Sequence, residues 1–262
     1  MGSKKSWTRI TTPLITIAFF GIWKAYVEFF DVSPFILPAP DKVLIAVWHL
    51  LHEDLIFNHI WVTMMETLVG FFFASVIGVG LGVILGKVPW LEKALNPFIV
   101  ATQVVPKIAL VPLFIVWFGF GITSKVIIAA VLAFFPILTN TLLGIKSLDS
   151  GHKDVMASIN ASRWDTFRHL DLPSAMPYIL TGMEVGIVLA TIGAVVGEYL
   201  GGNEGLGFLA VDTMAAFEVD ALFGVIILLT LLGFGLYMCV VALRRVLTPW
   251  HESVQVHRSK DN

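Results

Sequence analysis

Residues 152–177 read HKDVMASINASRWDTFRHLDLPSAMP. The stretch carries Lys153, Asp154, Arg163, Asp165, Arg168, His169 and Asp171, and it lies between two long hydrophobic runs. Asp154 to Ile159 suits a short helix, with Val155, Met156 and Ile159 near one face. Asn160 then interrupts; Asn tolerates a left-handed backbone best among non-glycine residues, so it reads as a helix C-cap. Ser162 and Asp165 have the spacing of a capping box for a second helix, with Trp164, Phe167 and Leu170 as its apolar stripe and Pro173 as its stop. The pattern is helix, tight turn, helix, each with one apolar and one charged face. The plainer alternative is an ordinary loop lying on a membrane surface.

Outward from this loop the chain is apolar. Its 262 residues are 57% hydrophobic and 14% charged, with a mean hydropathy of +0.85. A soluble domain carries charge at about a quarter of its positions. This excess of apolar surface places the chain among all-α polytopic membrane proteins. About six spans are expected, over 12–30, 59–86, 97–119, 124–148, 175–197 and 221–243, forming a single transmembrane domain. Lys24 and Glu28 have the spacing to pair within the first. A Pro-rich linker and an amphipathic helix at 41–55, with Val43, Leu44, Val47, Leu50 and Leu51 on one side, separate it from the second. Gly78, Gly82 and Gly86 in the second span, and Gly182, Gly186, Gly193 and Gly197 in the fifth, have the spacing that lets helices approach closely. Pro106 and Pro112 predict a bent or broken third span. No cleavable signal peptide is evident, since the first hydrophobic run has spanning length and no clear small-residue cleavage site. The one cysteine, Cys239, excludes an intrachain disulfide.

Charge sets the expected orientation. Lys4, Lys5, Arg9, Lys87, Lys93, Lys146, Lys153, Arg163, Arg168, Arg244, Arg245, Arg258 and Lys260 fall on one side, thirteen of seventeen basic residues. Lys42 and Lys125 fall in the opposite loops, and Lys24 and Lys107 within spans. The positive-inside rule then puts both termini and the 152–173 loop in the cytoplasm.

The loop resembles the cytoplasmic loop of ATP-binding cassette importer permeases: Glu-Ala-Ala, three residues, Gly, nine residues, Ile-x-Leu-Pro. The matching positions are Asp154, Val155, Met156, Asn160 and Leu170-Asp171-Leu172-Pro173. Asp replaces Glu and keeps the charge; Asn replaces Gly and keeps the turn; Val-Met replaces Ala-Ala and is bulkier. Residues 105–121 and 197–207 resemble the nitrate, sulfonate, taurine and bicarbonate branch. The resemblance implies a type I importer fold and a homodimeric pathway in the bacterial inner membrane. It also implies two separate ATPase subunits, which hold ATP and Mg and dock on Asp154, Val155, Met156, Asn160, Arg163, Leu172 and Pro173. An extracytoplasmic solute-binding protein would deliver the solute. Glu198, Gly201, Gly202, Asn203 and Glu204, in a segment with four glycines in eleven residues, would serve as outer gate or docking surface; a plain flexible hairpin is the alternative.

Catalytic motifs are missing from the sequence. No Gly-x-x-x-x-Gly-Lys-[Ser/Thr] phosphate loop occurs, so this chain is not expected to hydrolyse ATP or bind a cofactor. His49, His52, Glu53 and His59 are expected to be solvated histidines and a carboxylate rather than a metal site, and no nucleic-acid partner is expected. A charge in the middle of a bilayer costs about 2.5–3.5 kcal/mol, so polar residues inside spans face protein or a cavity. Gln103, Lys107, Asn140, Glu184 and Thr191 are therefore the pathway candidates. Each has a plainer reading: Lys107 pairs with Glu184 or Glu66, or snorkels; Gln103, Asn140 and Thr191 bond between helices; Glu184 is a packing ion. Lys107 in a broken span suits a small anionic solute, with sulfonates, nitrate, bicarbonate, aromatic carboxylates and vitamin precursors all open. The rival functions are a stand-alone channel or secondary transporter, which needs no docking loop, and a membrane-embedded enzyme, which needs clustered His, Asp or Cys.

Overall fold

The computed structural model describes residues 3–249, with backbone alone at residues 3–10, Thr12 and Ser150. Arg258 and Lys260 lie outside the described residues. The described chain is helical: α1 (Ser3–Phe29), α2 (Pro40–Leu50), α3 (Ile56–Lys87), α4 (Pro89–Val104), α5 (Val111–Phe118), α6 (Ile122–Lys146), α7 (Ser150–Ser158), α8 (Arg163–Thr166), α9 (Leu172–Gly201), α10 (Leu206–Ala215) and α11 (Val219–Leu247).

Among the described residues four helices are long and apolar enough to cross a membrane: α3, α6, the run Arg163–Gly201 and α11. The pair α4 and 107–118 makes a fifth if counted as one broken span, bent by 83°. The 27-residue α1 is not among them, so the expected six is an approximate count. The break follows from proline chemistry. Pro106 lacks an N–H and holds Val105 extended, a 3₁₀ turn follows at Lys107–Leu110, and Pro112 sits in the first turn of α5, where no N–H is missed.

Helix α6 is the centre of the bundle, gripped between α3 and α9. The glycine stripes make this possible. A Cβ at Gly82 would lie 2.6 Å from Thr141 Cβ, and one at Gly193 would lie 2.7 Å from Ala129 Cα. With no side chains in the way, the three backbones pack around Ala74, Ala129, Ala133, Ile137, Ala190 and Ala194. Helix α2 turns Val43, Ala46 and Leu50 inward, toward α10 and α11, while Leu44 points out of the fold. Lys24 meets Glu28 at 3.7 Å, as its spacing predicts, and also reaches Asp41 of α2 at 3.6 Å.

Candidate functional site

The 150–172 region has the two-helix form expected, with corrected boundaries. Helix α7 begins earlier than Asp154, because the Asp149 side chain caps it by accepting the Gly151 N–H at 2.9 Å. Its C-terminus is a Schellman motif. Asn160 has φ = 54°, its N–H donates to Ala157 O at 3.0 Å, and Ala161 N–H donates to Met156 O at 3.0 Å. The capping box is present: Asp165 N–H donates to Ser162 Oγ at 3.1 Å, and Ser162 N–H donates to Asp165 Oδ2 at 3.3 Å. Pro173 does not stop the second helix. A π turn at Phe167–Asp171 carries α8 into α9, and Pro173 occupies the first turn of α9, where a proline is harmless.

Val155, Ile159 and Trp164 are exposed on this loop, as are Asp154, Asn160 and Arg163, while Met156, Leu172 and Pro173 are half-buried. Exposed apolar side chains rimmed by charge form a surface that fits a partner. The base of the loop is fixed from α3. Lys87 forms an ion pair with buried Asp171 and lies 4.6 Å from the Phe167 ring centroid.

The pathway candidates do not converge on one spot. Gln103 is exposed near the end of α4. Lys107 pairs with neither expected carboxylate. Its ammonium sits 4.8 Å from the Phe135 ring centroid, because Glu66 is taken by Lys125 at 3.1 Å and Glu184 by Arg244 at 3.0 Å. Asn140 donates to Pro136 O at 2.8 Å and Thr191 to Ile187 O at 2.9 Å, each on its own helix, so neither ties two helices together. Glu184 borders a cleft of about 280 Å³ that Thr181, Val185, Val188, Leu189 and Tyr237 complete.

A buried, hydrogen-bonded polar site lies at the end of α9 away from the loop. There Thr63 and Glu66 of α3, Lys125 of α6 and Glu198 of α9 are all buried. Three consecutive N–H groups at the start of α10 are received by three side chains. Gly205 N–H donates to His59 Nδ1 at 3.0 Å, Leu206 N–H to Thr63 Oγ1 at 2.8 Å and Gly207 N–H to Glu198 Oε2 at 2.6 Å. Thr63 in turn donates to Glu198 Oε1 at 2.7 Å. A carboxylate at a helix N-terminus satisfies the free N–H groups and opposes the helix dipole. Gly205 (φ = 105°) and Gly207 leave the space that Glu198 fills: a Cβ on Gly207 would lie 2.6 Å from Glu198 Oε2.

Sequence reasoning placed several of these residues differently. Lys125 is not a loop lysine; it lies in the first turn of α6 and is 5% exposed, because Glu66 neutralises it. His59 is a half-buried acceptor rather than a solvated ring. Glu198 and Gly201 belong to the end of α9 and are buried, and only Asn203 and Glu204 of the expected outer set are exposed. His49 and His52 are exposed, and among the described residues no group of three His, Cys, Asp or Glu could hold a metal.

Residues 74–252 match the family model described as binding-protein-dependent transport system inner membrane component. The chain belongs to that family. It is a permease subunit of an ATP-binding cassette importer, a multi-pass protein of the inner membrane. This permease is 34% identical to the formylaminopyrimidine transport permease protein ThiX of Halalkalibacterium halodurans, over 95% of this chain and 99% of that one. It is 36% identical to the riboflavin transport system permease protein RibX of Chloroflexus aurantiacus, over 94% and 92%. The taurine transport system permease protein TauC of Escherichia coli is 29% identical over 94% of this chain and 92% of its own length, which matches the branch inferred from residues 105–121 and 197–207. The fold matches that of a chain of the MetNI methionine ABC transporter in an inward-facing conformation, with a TM-score of 0.65 and 20% identity, over 74% of this permease and 96% of that chain.

Proposed function

We propose that two copies of this permease, each a single transmembrane domain, form one alternating-access pathway for a small solute entering the cell. Two ATPase subunits, which hold ATP and Mg, dock on the loop of Asp154, Val155, Met156, Asn160, Arg163, Leu172 and Pro173. An extracytoplasmic solute-binding protein docks at the end where Glu198, Gly201, Gly202, Asn203 and Glu204 lie. The distribution of basic residues supports cytoplasmic termini. The observation that carries the docking role is the exposed helix–turn–helix itself, with Asn160 in the left-handed conformation that fixes the angle between α7 and α8. This chain binds no cofactor of its own in this reading, and lipid is its only other partner.

Gln103, Lys107, Asn140, Glu184 and Thr191 remain the pathway set. Lys107, at the break of the third span with no carboxylate partner among the described residues, supports an anionic solute. A nitrogen heterocycle is the second reading, favoured by the names of the ThiX and RibX relatives.

Gentle capture of the tagged permease from native membranes, with mass spectrometry of what accompanies it, tests the assembly. An ATPase and a solute-binding protein are expected, and the molecule held by the binding protein names the solute. A chain that purifies alone and moves solute without ATP overturns the reading. Asn160→Leu tests the turn: a branched, bulky residue resists φ = 54°, so uptake should fall at least tenfold while ATP hydrolysis continues. Unchanged uptake would remove the turn from the mechanism.

A further inference from the structure

The polar side chains of residues 149–171 bond mostly to one another. Asp149, Ser158, Ser162, Asp165, Thr166 and His169 all find partners within four residues along the chain. One ion pair leaves the loop. Lys87 Nζ, in the last turn of α3, meets Asp171 Oδ2 at 2.5 Å, and the same ammonium lies 4.6 Å from the Phe167 ring centroid. Among the described residues no other ion pair or side-chain hydrogen bond ties this segment to a neighbouring helix.

Burial shows which partner needs the other. The Asp171 side chain is 7% exposed and that of Lys87 36%. A carboxylate that deep is costly without a cation, and Lys87 is its one ion partner among the described residues. Asp171 closes the π turn, in which Leu172 N–H donates to Phe167 O. A π turn adds one residue to a helix and so offsets the faces before and after it by about 100°. Lys87 holds both ends of that turn, Phe167 and Asp171. In α3 it follows Gly86, where α3 meets α6 with no clearance: a Cβ on Gly86 would lie 2.5 Å from Ile145 Cγ2. A load on Lys87 therefore bears on α3 and α6 together.

We infer that Lys87 is a positioning residue for transport, which carries the state of the docked loop through Asp171 and Phe167 into α3 and α6. A lysine that served only the basic excess of this side would turn to water, and this one turns onto the base of the loop. The role rests on the docking of ATPase subunits given above, and it names the link by which docking reaches the spans. Loss of Lys87 breaks that link and leaves the ATPase able to turn over.

The assembled importer in lipid nanodiscs tests this, with phosphate release measured with and without the solute-binding protein that accompanies it. In the wild type the binding protein should stimulate hydrolysis. Lys87→Gln and Asp171→Asn should keep the basal rate, with a stimulation smaller by about fivefold or more. A purely structural role would lower basal and stimulated rates alike and leave their ratio as it was. Lys87→Arg keeps the cation and should keep the stimulation. The reversed pair, Lys87→Asp with Asp171→Lys, should regain much of it, and serves also if a single variant fails to fold. An unchanged ratio in both single variants, or a reversed pair no better than they are, overturns the inference while the docking reading stands. A wild-type permease that brings no ATPase with it removes both.

Discussion

Helix α9 has a loop at one end and an ion cluster at the other, and the two are held by different means. At the loop, Asp149, Asn160, Ser162 and Asp165 make bonds that span five residues or fewer, on an exposed surface. At the cluster, the bonds Thr63–Glu198 and Thr63–Leu206, both buried, and His59–Gly205, half-buried, join residues 135, 143 and 146 apart. Local caps fix the shape of the loop's own surface, and the Lys87–Asp171 ion pair ties its base to α3. Long-range buried bonds fix three helices relative to one another, and none can be lost singly at low cost.

The largest expected effect tests the cluster. Lys125→Met leaves Glu66 and Glu198 buried without their cation, which should cost about 3–5 kcal/mol. Thermal denaturation of the purified permease reads this, and a small change would mean that the cluster is far wetter than its burial indicates. Next is Gly207→Ala. The added Cβ would press on Glu198 Oε2 at 2.6 Å and Val195 O at 2.7 Å, and overpacking of this kind costs about 1–3 kcal/mol. The same denaturation experiment should show its loss to be greater than that of an alanine at Gly80, where nothing lies within 4 Å. The smallest effect belongs to the loop. Ser162→Ala removes one cap, about 1 kcal/mol, and should raise hydrogen exchange in α8 while leaving the melting temperature nearly unchanged. A global loss of stability from Ser162→Ala would erase the contrast between the two ends.

The same contrast explains what was legible in the sequence. The Asn160 turn and the Ser162–Asp165 box are short-range patterns, and they stand in the structure where the sequence put them. The glycine stripes were also readable, since their period of four states that a helix must come close; which helix it was, α6 in both cases, was not. Lys125 and His59 were misplaced because their partners are distant in sequence, so each looked like an isolated polar residue near a span end. Pro173 misled for a local reason: a proline ends one helix or opens the next, and only the π turn before it decides between them. The pairing of Glu184 with Arg244 was invisible on the same grounds as that of Lys125 with Glu66.

The π turn also sets the reach of α9. Because α8 runs through it into α9, residues 163–201 are one continuous helix of 39 residues, about 58 Å of helical rise. A seesaw of that length, pivoting near one end, turns a tilt of about 5° into a sweep of about 5 Å at the other. Trp164 and Glu198 therefore stand near opposite ends of one helix, and the start of α10 is fastened to that helix through Glu198.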